Sequence, residues 1–550
     1  MLVTGSRASR SRLILTAMLF ALGPVLSTAA VAQPRPERMK LKPDPDFDDA
    51  APKKSTTTKT KKGGEKMPLA DDPDFDEPKK PRKKPKPGGI SVFQRGLLRG
   101  SISSKLSFDT KIDNQFEDVW AWENRFDLGL SYQFRPNIRA VIDARMSYWV
   151  TGEGNEQERF YLFNSQNTKW EFEVELREAY LDFRFGWFRL TVGNQTIRWG
   201  QTDSQSPLDV LNPVDMRDGV PTDFKTPLVP ILAVNMQAAV KGWNFQLVWI
   251  PFFQPHKINL FGTDFAIGRQ GTSTPFGPIL SQISSFIDPS IEDKLQPSLQ
   301  ATKRPDENPK NSSVGVRIAK TFGPVDMAVM YHFGWDRYPV FHVDPDLVTL
   351  LSAVGQNGIQ LTPDLIAAFT KLNGKDPSSL LSSEYKRQHV AGFELAWGID
   401  PVTIKLDVAY IHRRTYYDDQ MAALRKPALA YSVGIEWQHS DWITLSFEFT
   451  HVHAFGMDKD QKLYLFHREQ MFAFGLFRIS FLSNNALEFQ VSSMLGINDL
   501  DFLVAGQVRY KITDSWSVAL GAVFFEGKEN STLGMFDNND YFYFQGTFAF

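Results

Sequence analysis

From about residue 97 the chain repeats strand-length segments that are apolar on one face and charged on the other, and few folds accommodate both faces. Phe126, Leu128, Leu130, Tyr132 and Phe134 alternate with Arg125, Asp127, Gly129, Ser131 and Gln133. The pattern recurs at Ile138, Ala140, Ile142, Ala144 and Met146 against Arg139, Asp143, Arg145 and Ser147. It recurs at Val402, Ile404, Leu406, Val408 and Tyr410 against Thr403, Lys405 and Asp407. Two later copies set Tyr431, Val433, Ile435 and Trp437 against Ser432, Gly434, Glu436 and Gln438, and Phe502, Val504, Val508 and Tyr510 against Gln507, Arg509 and Lys511. A soluble sandwich does not place charges against its core. A barrel with an apolar outside and a hydrated lumen requires them.

The lengths of the connections sharpen this expectation. Short turns fall at 135–137, 186–187, 241–242, 323–324, 400–401, 440–441, 483–485 and 513–514, and between them lie long connections at about 151–170, 200–228, 252–311, 336–386, 414–426, 455–467 and 527–540. Short turns at one end and longer loops at the other are the pattern of transmembrane antiparallel β-barrels. The count is about eighteen strands, with sixteen as the alternative because 496–500 offers only a tight turn. The final residues, Tyr541 to Phe550, alternate in the same way and close on an aromatic, which suits the last strand of a barrel and recognition by the outer-membrane barrel-assembly machinery through Phe550. Of 550 residues 72 are Phe, Trp or Tyr, and pairs such as Tyr148-Trp149 and Trp187-Phe188 sit at strand ends, where aromatic girdles meet the lipid headgroups.

The N-terminus fits export. Arg7, Arg10 and Arg12 precede an apolar run from Leu13 to Leu22, and Ala30-Val31-Ala32 offers a small-x-small cleavage site, so residues 1–32 read as a signal peptide. Residues 33–90 are rich in Pro and Lys and poor in large apolar side chains, and read as a disordered periplasmic tether with the barrel at 91–550. Within it Asp44-Pro45-Asp46-Phe47-Asp48-Asp49 and Asp72-Pro73-Asp74-Phe75-Asp76-Glu77 form a duplicated acidic motif, suited to docking on a cell-wall or periplasmic partner or simply to a solvated spacer. Residues 1–90 hold 19 of the 61 basic and 11 of the 63 acidic side chains, which leaves a formal −10 on the rest. With no cysteine in the chain, disulfide scaffolds and thiol chemistry are excluded.

The connection after Trp199 is the most distinctive stretch. It reads Arg198-Trp199-Gly200-Gln201, then Leu208-Asp209-Val210-Leu211-Asn212-Pro213-Val214-Asp215-Met216-Arg217-Asp218. With Arg177-Glu178-Ala179-Tyr180-Leu181 and Gly193-Asn194-Gln195 before it, this stretch resembles a porin-like bacterial outer-membrane barrel family of unknown function, marked by Trp-Gly followed by Asn-Pro-x-Asp. The resemblance implies a channel or transport role for small solutes, hydrophobic ones among them, and supplies no substrate. Independently of it, Asn212 and Asp215 flank a Pro213-initiated turn, and acids alternate with bases through Asp209, Asp215, Arg217, Asp218, Asp223 and Lys225. Such a loop either folds inward as a constriction, with Trp199, Asn212, Pro213, Asp215, Arg217 and Asp218 as its key residues, or packs as a turn on the rim.

The lumen face carries both signs: Arg139, Asp143, Arg145, Glu178, Asp182, Arg184, Arg189, Lys405 and Asp407, with Arg125, Asp127, Glu436, Glu448, Glu488 and Arg509. The phase slips between Leu176 and Ala179, predicting a β-bulge near Arg177-Glu178. Segments from Asp344-Pro345 and Thr362-Pro363 have helical character, and 276–295 is an apolar stretch at similar spacing. No catalytic set is assembled. His451 and His453 share a strand face with no carboxylate fixed by spacing, and His439-Ser440-Asp441 are sequential neighbours on a turn, which cannot form a relay without strain. No nucleotide, zinc or nucleic-acid signature is found, and neither metal nor cofactor is expected. The function expected is an outer-membrane channel, with a non-conducting structural or adhesin barrel as the alternative and a rim hydrolase behind it.

Overall fold

The computed structural model describes residues 90–92, 96–110, 121–151, 160–161, 172–204, 206–217, 227–257, 259–261, 265, 303–346, 349, 363–373, 375, 381–418, 423–440, 442–458, 461, 463, 466–528, 531–537 and 539–550. The signal peptide, the tether up to residue 89, Asp218, Asp441 and the stretch 276–295 lie outside the described residues.

Alternation in the sequence becomes eighteen barrel strands. These are β1 (Gly96–Asp109), β2 (Ala121–Arg135), β3 (Ile138–Thr151), β4 (Phe172–Phe185), β5 (Phe188–Gln195) and β6 (Ile231–Val240). They continue as β7 (Trp243–Ile250), β8 (Ser313–Phe322), β9 (Val325–Trp335), β10 (Arg387–Ile399), β11 (Val402–Tyr417) and β12 (Ala423–Ser440). The last six are β13 (Ile443–Ala454), β14 (Glu469–Phe481), β15 (Leu487–Gly496), β16 (Asp501–Lys511), β17 (Trp516–Glu526) and β18 (Tyr541–Ala549). Each pairs antiparallel with its neighbours in sequence, and β18 returns to β1 with Ser101 opposite Ala549 and Asp109 opposite Tyr541. The ring is therefore closed at eighteen strands, and Gly100 and Phe550 exchange both backbone hydrogen bonds at 3.0 Å where it seals. Closure leaves no open sheet edge, and this strand number leaves a lumen too wide for side chains alone to fill. Ile90–Val92 adds a short antiparallel piece against the start of β1.

The two faces separate as their polarity requires. Val174, Leu181, Val329, Ile435, Phe447, Leu520 and Phe544 are exposed on the outside, while Asp182, Glu394, Asp407, Ser432 and Glu448 are buried on the inside. Exposed Trp187, Trp243, Trp442 and Trp516 cluster at the short-turn end, and Trp122, Tyr148, Phe172 and Trp249 near the loop end. Trp149 departs from the expected girdle: it is buried on the lumen side, because only its neighbour Tyr148 has the outward parity. Among the described residues no helix is long and apolar enough to cross a membrane. The bulge falls where expected, since Asp143 pairs with Glu178 but Ala144 with Leu176, leaving Arg177 extra. The expected long connection at 414–426 is shorter. A second irregularity between Ile411 and Arg414 hides the alternation there, and pairing resumes from Arg414 opposite Lys426 to Tyr417 opposite Ala423. Of the two helical loop segments, Pro363–Asn373 is a helix, α1, with Pro363 in its first turn. Asp344 caps the other, its Oδ1 accepting from Asp346 N at 2.9 Å.

Candidate functional site: an arm latched inside the lumen

The described parts of the connection between β5 and β6, residues 196–204, 206–217 and 227–230, turn into the barrel. At its neck Asn212, 1% exposed, ties both ends together. Its Oδ1 accepts from Ile197 N at 2.9 Å and its Nδ2 donates to Val229 O at 2.8 Å, while Pro213 O accepts from Val229 N at 2.8 Å. The expected local turn is thus a long-range clasp. The next residues are held by the loop after β7: Val214 N donates to His256 Nδ1 at 2.8 Å, Lys257 N to Val214 O at 2.9 Å and Met216 N to Lys257 O at 2.8 Å. Burial, then the nearby Arg337, pushes His256 down to about 3, so the ring is neutral and free to accept. Arg337 itself donates to the carbonyls of Leu211 and Gln254.

Beyond the clasp the arm crosses to the wall formed by β10, β11 and β13. Five consecutive backbone amides meet three carboxylates there. Gly200 N donates to Glu394 at 2.8 Å, Gln201 N and Thr202 N to Asp407 at 2.9 Å, and Asp203 N and Ser204 N to Glu448 at 2.6 and 2.9 Å. The Thr202 hydroxyl adds a bond to Asp407 at 2.7 Å, and Lys405 reaches Asp203 at 2.5 Å and Glu436 at 2.7 Å. Successive amides facing carboxylates form a concave anion-binding backbone, and these buried acids need such donors because a buried charge without partners costs several kcal/mol. Arg317 also pairs with Glu394, leaving that carboxylate well compensated.

The Trp-Gly pair is explained by this latch. Gly200 has φ +99°, and a Cβ there would lie 1.9 Å from Ser206 Oγ and 2.8 Å from Asp407 Oδ2. Trp199, 3% exposed, donates from Nε1 to Gln246 at 2.9 Å, and its ring lies against Gly315, where any Cβ would sit 2.6 Å from it. Around it Ile197, Leu208 and Leu211 pack with Val248, Ile250, Met330, Val390 and Ile411 into an apolar core inside the barrel. Leu208 and Leu211 are fully buried, each worth about 1.5–3 kcal/mol of apolar burial. Asp209 lies on the arm with Arg198 at 3.5 Å, and burial pushes its carboxyl up to about 7 against that attraction.

Charges gather at the arm's outer end. Arg217 bonds Glu173 through both terminal nitrogens at 3.1 Å, Glu175 at 3.4 Å and Asp215 at 2.7 Å, and Lys257 adds Glu175 at 2.5 Å. Burial works against the Asp215 carboxylate, but the Arg217 guanidinium outweighs it and holds the group below its ordinary range. Two cations thus face three carboxylates. Elsewhere the lumen charges are mostly paired: Arg189 with Asp182 at 2.7 Å, Arg184 with Asp182 at 3.2 Å, Arg145 with Asp127 at 2.7 Å, Arg99 with Asp143 at 3.8 Å and Arg509 with Glu488 at 3.6 Å. Arg139 stands opposite Asp182, and Glu178 opposite Asp143.

A second inward loop, 527–540, repeats the device. Asp501 accepts from Leu533 N at 2.6 Å, and Leu533, Met535 and Phe536 pack on Phe474, Leu503 and Phe525. Phe265, from the connection after β7, meets Phe536 at 5.7 Å and Phe525 at 6.1 Å, near the opposite side of the ring. Below this cluster, at the short-turn end, Arg509, Lys511, Ser517, Gln545 and Thr547 line a cavity of about 360 Å³.

The structure therefore gathers Trp199, Asn212, Pro213, Asp215, Arg217, Lys405 and Asp407 around one arm, while the β3 to β5 charges brace the wall. Glu394, Glu173, Glu175 and His256 were missed. Glu394 was legible from the alternation of Phe393, Leu395 and Trp397 about it. His451 and His453 share the Glu469 carboxylate, at 2.9 and 2.6 Å, on the outward face. Among the described residues no group of three or more His, Asp or Glu is arranged to hold a metal ion.

No curated protein matches the sequence. Among solved structures, Acinetobacter baumannii OccAB4 aligns at 8% identity and TM-score 0.44, covering 83% of this chain and 98% of its own. Acinetobacter baumannii OccAB3 aligns at 9% and 0.44 over 83% and 99%, and Pseudomonas aeruginosa OpdK with vanillate at 8% and 0.41 over 83% and 98%. The sequence profile of one family matches residues 123–550, from β2 to the last residue, and the chain belongs to that family, described as "Protein of unknown function (DUF1302)".

Proposed function

We propose that this protein is an outer-membrane channel that passes small solutes through a lumen narrowed by the latched arm. The reading is carried by the arm: five of its amides and an apolar core fix it inside a closed eighteen-strand ring, while polar and charged side chains such as Arg509, Lys511, Ser517, Gln545 and Thr547 line the inner wall of β16–β18 at the short-turn end, below the apolar cluster. An apolar outside girdled by aromatics suits lipid, and charged and polar groups on the inner face suit water. Paired charges along the remaining path, with Lys105 over the Tyr543 ring at 4.8 Å and the Arg509–Lys511 cavity below, favour small polar or charged solutes over hydrophobic ones. Swelling of liposomes holding the full-length protein, measured across sugars, organic acids and apolar solutes of matched size, tests this. Faster swelling with polar solutes supports it, and rates equal to empty liposomes for every solute refute it.

A further inference from the structure

On the outward face, the loop end of β10–β12 carries basic side chains that the channel does not use. Glu394, Asp407 and Ser432 point to the lumen, so Arg387 and His389 of β10 and His412 of β11 have outward parity. The two imidazoles are direct cross-strand partners with ring centres 6.1 Å apart, and His389 Nδ1 meets the Tyr331 hydroxyl at 2.6 Å. Arg387 stacks over Trp335 at 4.2 Å. Arg425 of β12 donates to the carbonyls of Arg387 and Arg413, each at 2.9 Å, which draws three arginines together, and Arg413 is exposed in the β11 irregularity.

Arg387 donates from both terminal nitrogens to the carbonyls of Ser312 and Lys310, each at 2.8 Å, and Arg425 is likewise spent on backbone carbonyls, which leaves the exposed Arg413 as the open fork. Among the described residues no carboxylate stands within 4.0 Å of Arg387, Arg413 or Arg425. The nearest acids are engaged: Glu384 with Lys386 at 2.5 Å and His342 at 3.0 Å, and Asp336 with the Thr415 hydroxyl at 2.7 Å. Directly toward the barrel's waist the surface turns apolar, with Tyr331, Tyr410, Val433 and Ile435 exposed. A cation on the lipid face costs about 2–4 kcal/mol at the bilayer midplane and about 0–1 near the interface, so the cluster marks the headgroup level. Guanidinium forks match phosphate oxygens in pairs.

We propose that Arg413, with His389 and His412 beside it and the positive charge of the anchored Arg387 and Arg425 behind it, binds the phosphorylated headgroup of an anionic lipid whose acyl chains lie on the apolar band beneath. The inference rests on the membrane-spanning reading of the barrel, and its test separates the two. Full-length protein is reconstituted into phosphatidylcholine vesicles doped with phosphorylated lipid A or with its dephosphorylated form, floated, extracted, and examined for retained lipid by native mass spectrometry. The expected result is enrichment of the phosphorylated form by about tenfold or more, falling severalfold in Arg413→Gln and in Arg413→Lys, which keeps the charge but loses the fork. Folding of each variant is checked by heat-modifiable gel migration, and Arg413→Gln alters an exposed side chain. Flotation without enrichment, or enrichment unchanged in correctly folded variants, overturns the proposal alone. Failure to float overturns it together with the channel reading. Displacement of the lipid by millimolar inorganic phosphate assigns the site to free phosphate and overturns the lipid.

Discussion

Replacing Asp407 with Ala removes the acceptor for Gln201 N, Thr202 N and the Thr202 hydroxyl, bonds of 2.9, 2.9 and 2.7 Å to a carboxylate that is 0% exposed. Hydrogen bonds to a charged group contribute about 1.5–3 kcal/mol each, so the docked arm loses about 4.5–9 kcal/mol. Asp407 no longer has to be buried as a charge, a relief of several kcal/mol, and the released amides recover water. The net shift toward release is about 3–4 kcal/mol, or roughly two to three orders of magnitude in the docked-to-released ratio. Glu394 and Glu448 remain, so the arm should flicker rather than leave. The assay uses the lack of native cysteine: Leu208→Cys, fully buried in the docked arm, supplies a single thiol whose labelling rate follows release. In the Asp407→Ala background labelling should accelerate about a hundredfold or more, with noisier and larger single-channel currents. Unchanged labelling and currents in a correctly folded variant would refute the latch.

Other consequences follow from the same geometry. Asn212→Ala strands the buried Ile197 amide and breaks the Val229 tie, costing about 2–3 kcal/mol and lowering the temperature at which heat-modifiable migration is lost. Arg217→Ala leaves Glu173, Glu175 and Asp215 facing Lys257 alone, so reversal potentials in a salt gradient should move toward cation selectivity. Burial holds the Asp209 carboxyl near 7 when docked, against the ordinary carboxylate value of 3.8 when released, so the docked arm holds the extra proton between those values. Docking is therefore strongest below about pH 4 and weakens as pH rises to about 7; current noise should grow from about pH 5 to about 7 and level off above, and Asp209→Asn should abolish that trend.

Much of this architecture is written locally in the chain. Period-two alternation fixes which side chains face out, so Phe544 and Ile435 are exposed, while Asp407 and Glu448 are inside, as their parity demands. The Leu176–Ala179 phase slip locates its bulge for the same reason. Two arginines and a positive φ of 64° at Arg413 interrupt the period there, so the strand's last stretch of alternation is masked and the loop looks longer in the sequence than it is. The inward fold of the arm was one of two options, since Asn212-Pro213-Val214-Asp215 specifies a bend but not its direction. What decides the direction is a set of carboxylates about two hundred residues away, at positions 394, 407 and 448, and no local pattern couples them to residues 200–204.

Single-channel recording in planar bilayers, comparing the full-length protein with a variant lacking residues 200–228, tests the central claim most directly. The arm-latched channel predicts discrete small openings for the intact chain and conductance several times larger for the deletion. Silence from both, with each shown to be folded and inserted, would contradict it.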